Sequence, residues 1–318
     1  MSLYERFRRR DRRALARLIT HIENRKNGYR RLLAAMATTP GHAHRIGITG
    51  PPGAGKSTLV DQIVAAYAEE GNEVGVIAID PSSPFTGGAL LGDRIRMSQL
   101  INRKNVFIRS MASRGKSGGL AAATRDTITA FAAFGMDLII VETVGIGQIE
   151  LDIIDVCDTV VVVLVPESGD IIQTMKAGLM EIADIFCVNK IDREGAERLI
   201  VILDHLIHER LAPDGRAFPV VGTSGLSGEG IETLIERIAE HRQYITETGK
   251  FAQRRRRQLR SEIMDNVKER IARHLERQVE ISDELDRMVN ELAEGMIDPY
   301  RAADRIYDQY FHGRLTSG

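Results

Sequence analysis

The chain has 318 residues, 43% of them apolar and 27% charged, which supports a substantial core and excludes intrinsic disorder for its bulk. Lys and Arg number 43 against 44 for Asp and Glu, and a net charge of −1 does not suit a protein that coats nucleic acid or an anionic membrane. Only two cysteines occur, Cys157 and Cys187, both inside apolar runs; they exclude a disulfide framework and a Cys-rich zinc site and suit a reducing compartment.

The N-terminus is basic (Arg6, Arg8, Arg9, Arg10, Arg12, Arg13), but no apolar segment of signal-peptide type follows, so a cytoplasmic location is expected. Residues 8–37 read as helix, with Leu15, Leu18, Ile19, Ile22, Leu32 and Leu33 at helical spacing and Pro40-Gly41 closing the segment. Short apolar runs then alternate with helical patterns. The runs are 45–49, 74–79, 106–108, 138–141, 159–165, 185–188 and 218–221, and helices are expected at about 56–70, 118–134, 194–210 and 229–247. Several runs are apolar throughout, as parallel strands covered on both faces must be. The pattern predicts an α/β fold, a doubly wound and mostly parallel sheet of P-loop NTPase type. The most apolar stretch, 156–165, contains Asp158 and falls far short of the roughly 20 residues of a membrane span. Strand signals stop near residue 250, and 254–275, 282–294 and 299–311 read as charged helices. The expected organisation is an N-terminal helical arm (1–40), a G domain (41–248) and a C-terminal helical arm (249–318).

The first strand runs into Gly50-Pro51-Pro52-Gly53-Ala54-Gly55-Lys56-Ser57, with Thr58 next. This is G-x-x-x-x-G-K-[ST] between a strand and a helix, whose backbone N–H groups wrap phosphates at a helix N-terminus. Lys56 then reaches the β- and γ-phosphates, and the Ser57 hydroxyl ligates Mg²⁺. The sixth run ends in Asn189-Lys190-Ile191-Asp192. The N-K-x-D carboxylate can accept from guanine N1–H and its N2 amine, a donor pair that adenine lacks. Thr223, Ser224, Gly225 and Leu226 follow the last strand, where backbone amides can contact guanine O6. GTP is therefore expected over ATP.

Asp80 and Glu142 close two strands, and Asp93 follows a loop rich in Pro, Ser and Gly; the three carboxylates suit a hard, hydrated Mg²⁺. The Gly145-Ile146-Gly147 segment before Gln148 can approach a γ-phosphate closely. In this reading Lys56, Glu142 and Gln148 serve catalysis, Gln148 by orienting the attacking water. No arginine is an evident finger in cis, so slow intrinsic turnover is expected.

Three strings, VIAIDPSSPFTGGALLGDRIRM (76–97), RSMASRG (109–115) and ETVGIGQ (142–148), resemble those of the methylmalonyl-CoA mutase-associated GTPases, the MeaB and ArgK type. The resemblance covers roughly residues 10 to 310, both arms included. It implies a Mg²⁺-dependent GTPase that cycles between GTP and GDP. Lys56 and Ser57 would hold phosphate and metal, Asp80, Asp93 and Glu142 would form the metal shell, and Asn189, Lys190 and Asp192 would select guanine. It further implies a mobile third switch at 166–176, a homodimer, and a role as chaperone of an adenosylcobalamin-dependent acyl-CoA mutase that receives cofactor from an adenosyltransferase. Two departures, Ile149 and Lys116-Ser117, bear on the partner-facing surface of the switches. Rival readings are a metallochaperone GTPase, which would call for a His-rich tract or Cys-x-x-Cys, and a transport kinase or ATPase, which N-K-x-D disfavours. Arg254 to Arg257 read as one face of an exposed, salt-bridged helix rather than a nucleic-acid patch. The Leu259, Ile263, Val267, Ile271 and Leu275 stripe, in a segment too small for its own core, is expected on the G domain or a second subunit.

Overall fold

The computed structural model describes residues 2–38, 42–81, 100, 102–113, 119–143, 152–166, 179–208, 218–280 and 284–309. Three short helices open the chain: α1 (Leu3–Arg8), α2 (Arg12–Glu23) and α3 (Tyr29–Ala37). The periodicity over 8–37 predicts one helix; the backbone breaks it twice. Asp11 caps α2, accepting from the N–H groups of Arg13 and Ala14, and Arg10 just before it is left-handed (φ 59°). The second break runs from Arg25 (φ 49°) to Gly28 (φ 86°), through the Asn27-Gly28 turn pair.

The sheet follows: β1 (His44–Thr49), β2 (Val74–Pro81), β3 (Val106–Ser113), β4 (Leu138–Glu142), β5 (Thr159–Leu164), β6 (Ile185–Asn189) and β7 (Val220–Thr223). Its order is β3-β2-β4-β1-β5-β6-β7, and every pairing is parallel. Between the strands run α4 (Lys56–Glu69), α5 (Gly119–Phe134), the single turn α6 (Leu179–Ile182) and α7 (Ala196–His208), with α8 (Ile231–Glu247) after β7. Alternate residues of one strand feed opposite faces. Val160 and Val162 of β5 pack with α2, α5 and α7, whereas Val161 and Val163 pack with α4 and α8. The N-terminal helices share the first of these cores through Phe7, Leu15, Leu18 and Ile19, all at most 1% exposed, and each such burial contributes about 1.5–3 kcal/mol.

The chain packs as two compact units, Met1–Gln258 and Leu259–Gly318, and the boundary falls within α9 (Lys250–Glu280). The first residues of α9 correct the expectation of an exposed, salt-bridged Arg254–Arg257 face. Arg254 makes a bidentate pair with Asp184 (2.7 and 2.8 Å), and Arg255 pairs with Asp158 at 2.5 Å. Both carboxylates are buried where β5 and β6 begin. There they also accept backbone N–H bonds, Asp158 from Arg45 (2.9 Å) and Asp184 from Val160 (2.8 Å). Two of the four arginines thus satisfy interior charges, which no helical periodicity reveals.

In the second unit, α10 (Glu284–Ala293) and α11 (Pro299–Tyr307) bury Met288, Ile297 and Ala302 against Leu292 and Ile306. This segment therefore does have a small core of its own. Asp298 caps α11, with Pro299 at its first position. No helix among the described residues is long and apolar enough to cross a membrane.

Candidate functional site

The loop between β1 and α4 turns on three glycines in left-handed or related conformations: Gly50 (φ 141°), Gly53 (φ 75°) and Gly55 (φ 82°). A Cβ at Gly50 would lie 2.1 Å from the Val163 carbonyl oxygen, and one at Gly55 would lie 2.5 Å from Asn189 Nδ2. Glycine is required at both. Lys56, the first residue of α4, is 6% exposed, and its ammonium donates to the carbonyls of Gly50 (2.7 Å) and Pro51 (2.9 Å). The cation therefore lies over the mouth of the loop.

Glu142 ends β4, which pairs with β1 so that Ile48 lies opposite Glu142. That register carries the carboxylate to the start of α4, where Ser57 Oγ donates to Glu142 Oε1 at 2.6 Å. Beside it, Thr143 Oγ1 donates to Thr49 Oγ1 at 2.8 Å inside the core. Sequence patterning assigns nothing to Thr49; a threonine at a strand end is too common to signal a role. On the next strand, Ala78 of β2 lies opposite Glu142, so Asp80 follows two residues further along the same sheet edge. The Asp80 side chain, Asp93, Gln148, the switch residues 167–176, Ile149 and Lys116-Ser117 lie outside the described residues.

Asn189, 2% exposed at the end of β6, joins two loops. Its Nδ2 donates to the carbonyl of Ala54 (2.8 Å), and its Oδ1 accepts from Gly225 N (3.0 Å) and Thr223 Oγ1 (3.2 Å). Lys190 takes a left-handed backbone (φ 62°), which turns the chain so that Ile191 N–H reaches the Thr223 carbonyl at 3.1 Å and leaves Asp192 exposed. The loop that contains residues 223–226 closes through Ser224 N to the Glu229 carbonyl (2.9 Å), with Leu226 86% exposed. A Cβ at Gly225 would sit 3.4 Å from Thr58 Cγ2, so this loop lies against the start of α4. The structure therefore gathers residues 50–58, Glu142, Asn189 and 223–225 at the C-terminal ends of β1, β4, β6 and β7, where open parallel sheets bind their ligands.

Both thiols are buried, and burial pushes them up, Cys187 to about 12, so neither suits a thiolate metal ligand.

Residues 15–280 match the family described as methylmalonyl-CoA mutase-associated GTPase MeaB. The chain belongs to that family. A Pyrococcus horikoshii protein named as a GTPase is 48% identical over 313 residues, 97% of each chain. The GTPase ArgK of Escherichia coli is 34% identical over 279 residues, covering 85% of this chain and 84% of its own. The mitochondrial methylmalonic aciduria type A homolog of Mus musculus is 33% identical, over 82% of this chain and 64% of its own. The crystal structure of a LAO/AO transport system kinase superposes with a TM-score of 0.71 at 25% identity, over 96% of this chain and 95% of that one. As a MeaB-family protein the chain is a P-loop GTPase, an enzyme whose nucleotides are GTP and GDP.

Proposed function

We propose that this MeaB-family GTPase is a cytoplasmic chaperone of an adenosylcobalamin-dependent acyl-CoA mutase. It gates the loading of the mutase's cofactor, received from an adenosyltransferase, and protects the loaded mutase. The client class rests on family membership. The guanine site rests on one observation above the others, the Asn189 side chain bonded at once to the phosphate loop and to the 223–225 loop. Such a tie would link the base subsite to the phosphate subsite.

In this reading the N–H groups of residues 50–58 and the Lys56 ammonium cradle the phosphates. Asp192 selects guanine, with Asn189 and Lys190 beside it and residues 223–226 at O6. Ser57 and Glu142, a hydroxyl and a buried carboxylate 2.6 Å apart, are hard oxygen donors of the kind Mg²⁺ takes, and Asp80 and Asp93 would complete the set. When bound, that ion neutralises charge on the β- and γ-phosphates. Gln148 orients the attacking water. Phosphoryl transfer asks for positioning and charge neutralisation more than for covalent help, so turnover without an arginine finger is slow and the client accelerates it.

The C-terminal helix supports a homodimer. Leu259, Ile263, Val267 and Ile271 recur every four residues along α9, each 44–62% exposed, as a stripe that a second copy could cover. Sedimentation showing only monomer at micromolar concentration would exclude it. The chaperone role is tested by co-purifying candidate mutases with the chain in GDP and in a non-hydrolysable GTP analogue while following phosphate release. A client bound in one nucleotide state, with turnover raised, is expected. Fast turnover indifferent to every such mutase would overturn the reading.

A further inference from the structure

At the opposite end of the sheet a cleft of about 590 Å³ opens where β1 and β4 begin, bounded by α1, α4, α5 and α8. His44 opens β1, and the P-loop follows Thr49 at its other end. The cleft is thus about 17 Å of strand away from the nucleotide site. Its volume lies within the range of small-molecule sites, roughly 300–1,000 Å³.

Three arginines, Arg8, Arg10 and Arg242, line it. Among the described residues none of the three forms an ion pair, whereas Arg6, Arg109, Arg254 and Arg255 all have carboxylate partners. The nearby Asp137 does not neutralise them through a side-chain pair; its Oδ2 accepts the Glu73 N–H at 2.9 Å. Arg10 is held in place at a cost. Its left-handed backbone (φ 59°) costs about 1–2 kcal/mol, and a Cβ on Gly135 (φ 95°) would stand 2.4 Å from its Nη2. Gly135 thus makes the room in which the guanidinium lies. Phe134 lends the cleft an apolar wall, and Tyr67 lends an aromatic side with a hydroxyl. Burial first, and then Arg242, His241 and Arg255, hold the imidazole of His44 down to about 3, although Asp184 opposes them.

We propose that this cleft is a second ligand site, for a small organic polyanion whose carboxylate or phosphate groups meet Arg8, Arg10 and Arg242 while its body rests on Phe134. Arg242 stands one residue from His241, whose Nε2 lies 3.2 Å from Asp184, the partner of Arg254 on α9. A ligand here therefore sits beside the joint between α8 and α9.

Two probes separate the two anion chemistries, citrate for carboxylates and pyrophosphate for phosphates. Each is titrated calorimetrically into the full chain saturated with GDP and free of divalent metal. One-to-one binding of at least one probe, at roughly 1 mM or tighter, is expected. Arg10→Gln and Arg242→Gln, both at exposed positions, should each weaken it about tenfold or more, with GDP affinity unchanged as the check on folding. Binding of one probe alone names the chemistry. The proposal is overturned if neither probe binds, if both variants bind as the parent does, or if excess GDP displaces the probe.

Discussion

Acidification should destabilise this protein mainly through one buried histidine. His44 is 3% exposed, and its Nε2 lies 2.8 Å from Thr159 Oγ1, which in turn meets His241 Nδ1 at 2.8 Å. Burial, reinforced by Arg242, His241 and Arg255, lowers its pKa from 6.5 to about 3. Because the folded value lies below the unfolded one, the unfolded chain takes up the proton first. Stability is full above pH 6.5 and is lost as pH falls toward 3. At pH 5 the linkage relation gives a loss of about 2 kcal/mol from this group alone. Asp184, whose carboxyl is held low, adds to the loss only as pH falls toward and below the ordinary carboxylate value of 3.8. Urea unfolding of the GDP-bound chain at pH 7.5 and pH 5 measures the loss, with His44→Gln as the comparison. The variant keeps a hydrogen-bonding group toward Thr159 and removes the titration, so it should lose about 2 kcal/mol less than the parent between the two pH values. Equal losses in both proteins would refute the reasoning.

Arg254→Met strips the bidentate partner from Asp184, whose carboxyl burial would raise but which bonds from His241 and Arg254 hold well below the usual range; a loss of about 3–5 kcal/mol in urea unfolding is expected. Gly50→Ala drives a methyl into the Val163 carbonyl, so nucleotide affinity should drop about tenfold or more in calorimetry, with about 1–3 kcal/mol of stability. Ser57→Ala should weaken GDP binding in the presence of Mg²⁺ about tenfold and leave metal-free GDP binding nearly unchanged, a contrast lost if Ser57 only packs.

Much of this was legible in the sequence because it is local. Continuous apolar runs such as Val160 to Leu164 state a parallel strand, and the phosphate loop and N-K-x-D name their positions outright. Helix ends were harder. Asp11 and the Asn27-Gly28 pair break an otherwise unbroken periodicity, and their caps compete with it residue by residue. Long-range polar pairing was not legible. Arg254 reads as one member of a charge run, and only the fold brings it to Asp184, 70 residues away in sequence. The tie from Asn189 to Ala54 and Gly225 is of the same kind: the motif predicts a loop-holding amide, and the side-by-side order β1-β5-β6-β7 decides which loops it holds.

In the proposed function, residues 50–58, Asn189 and Asp192 form one guanine-nucleotide site. Asp192 is exposed and replaceable without disturbing the core, so its substitution reads the base subsite directly. Binding of GTP and XTP to the parent chain and to Asp192→Asn is the most direct measurement. The variant should lose GTP affinity by about a hundredfold or more and gain preference for XTP. Undiminished GTP affinity in Asp192→Asn would contradict it.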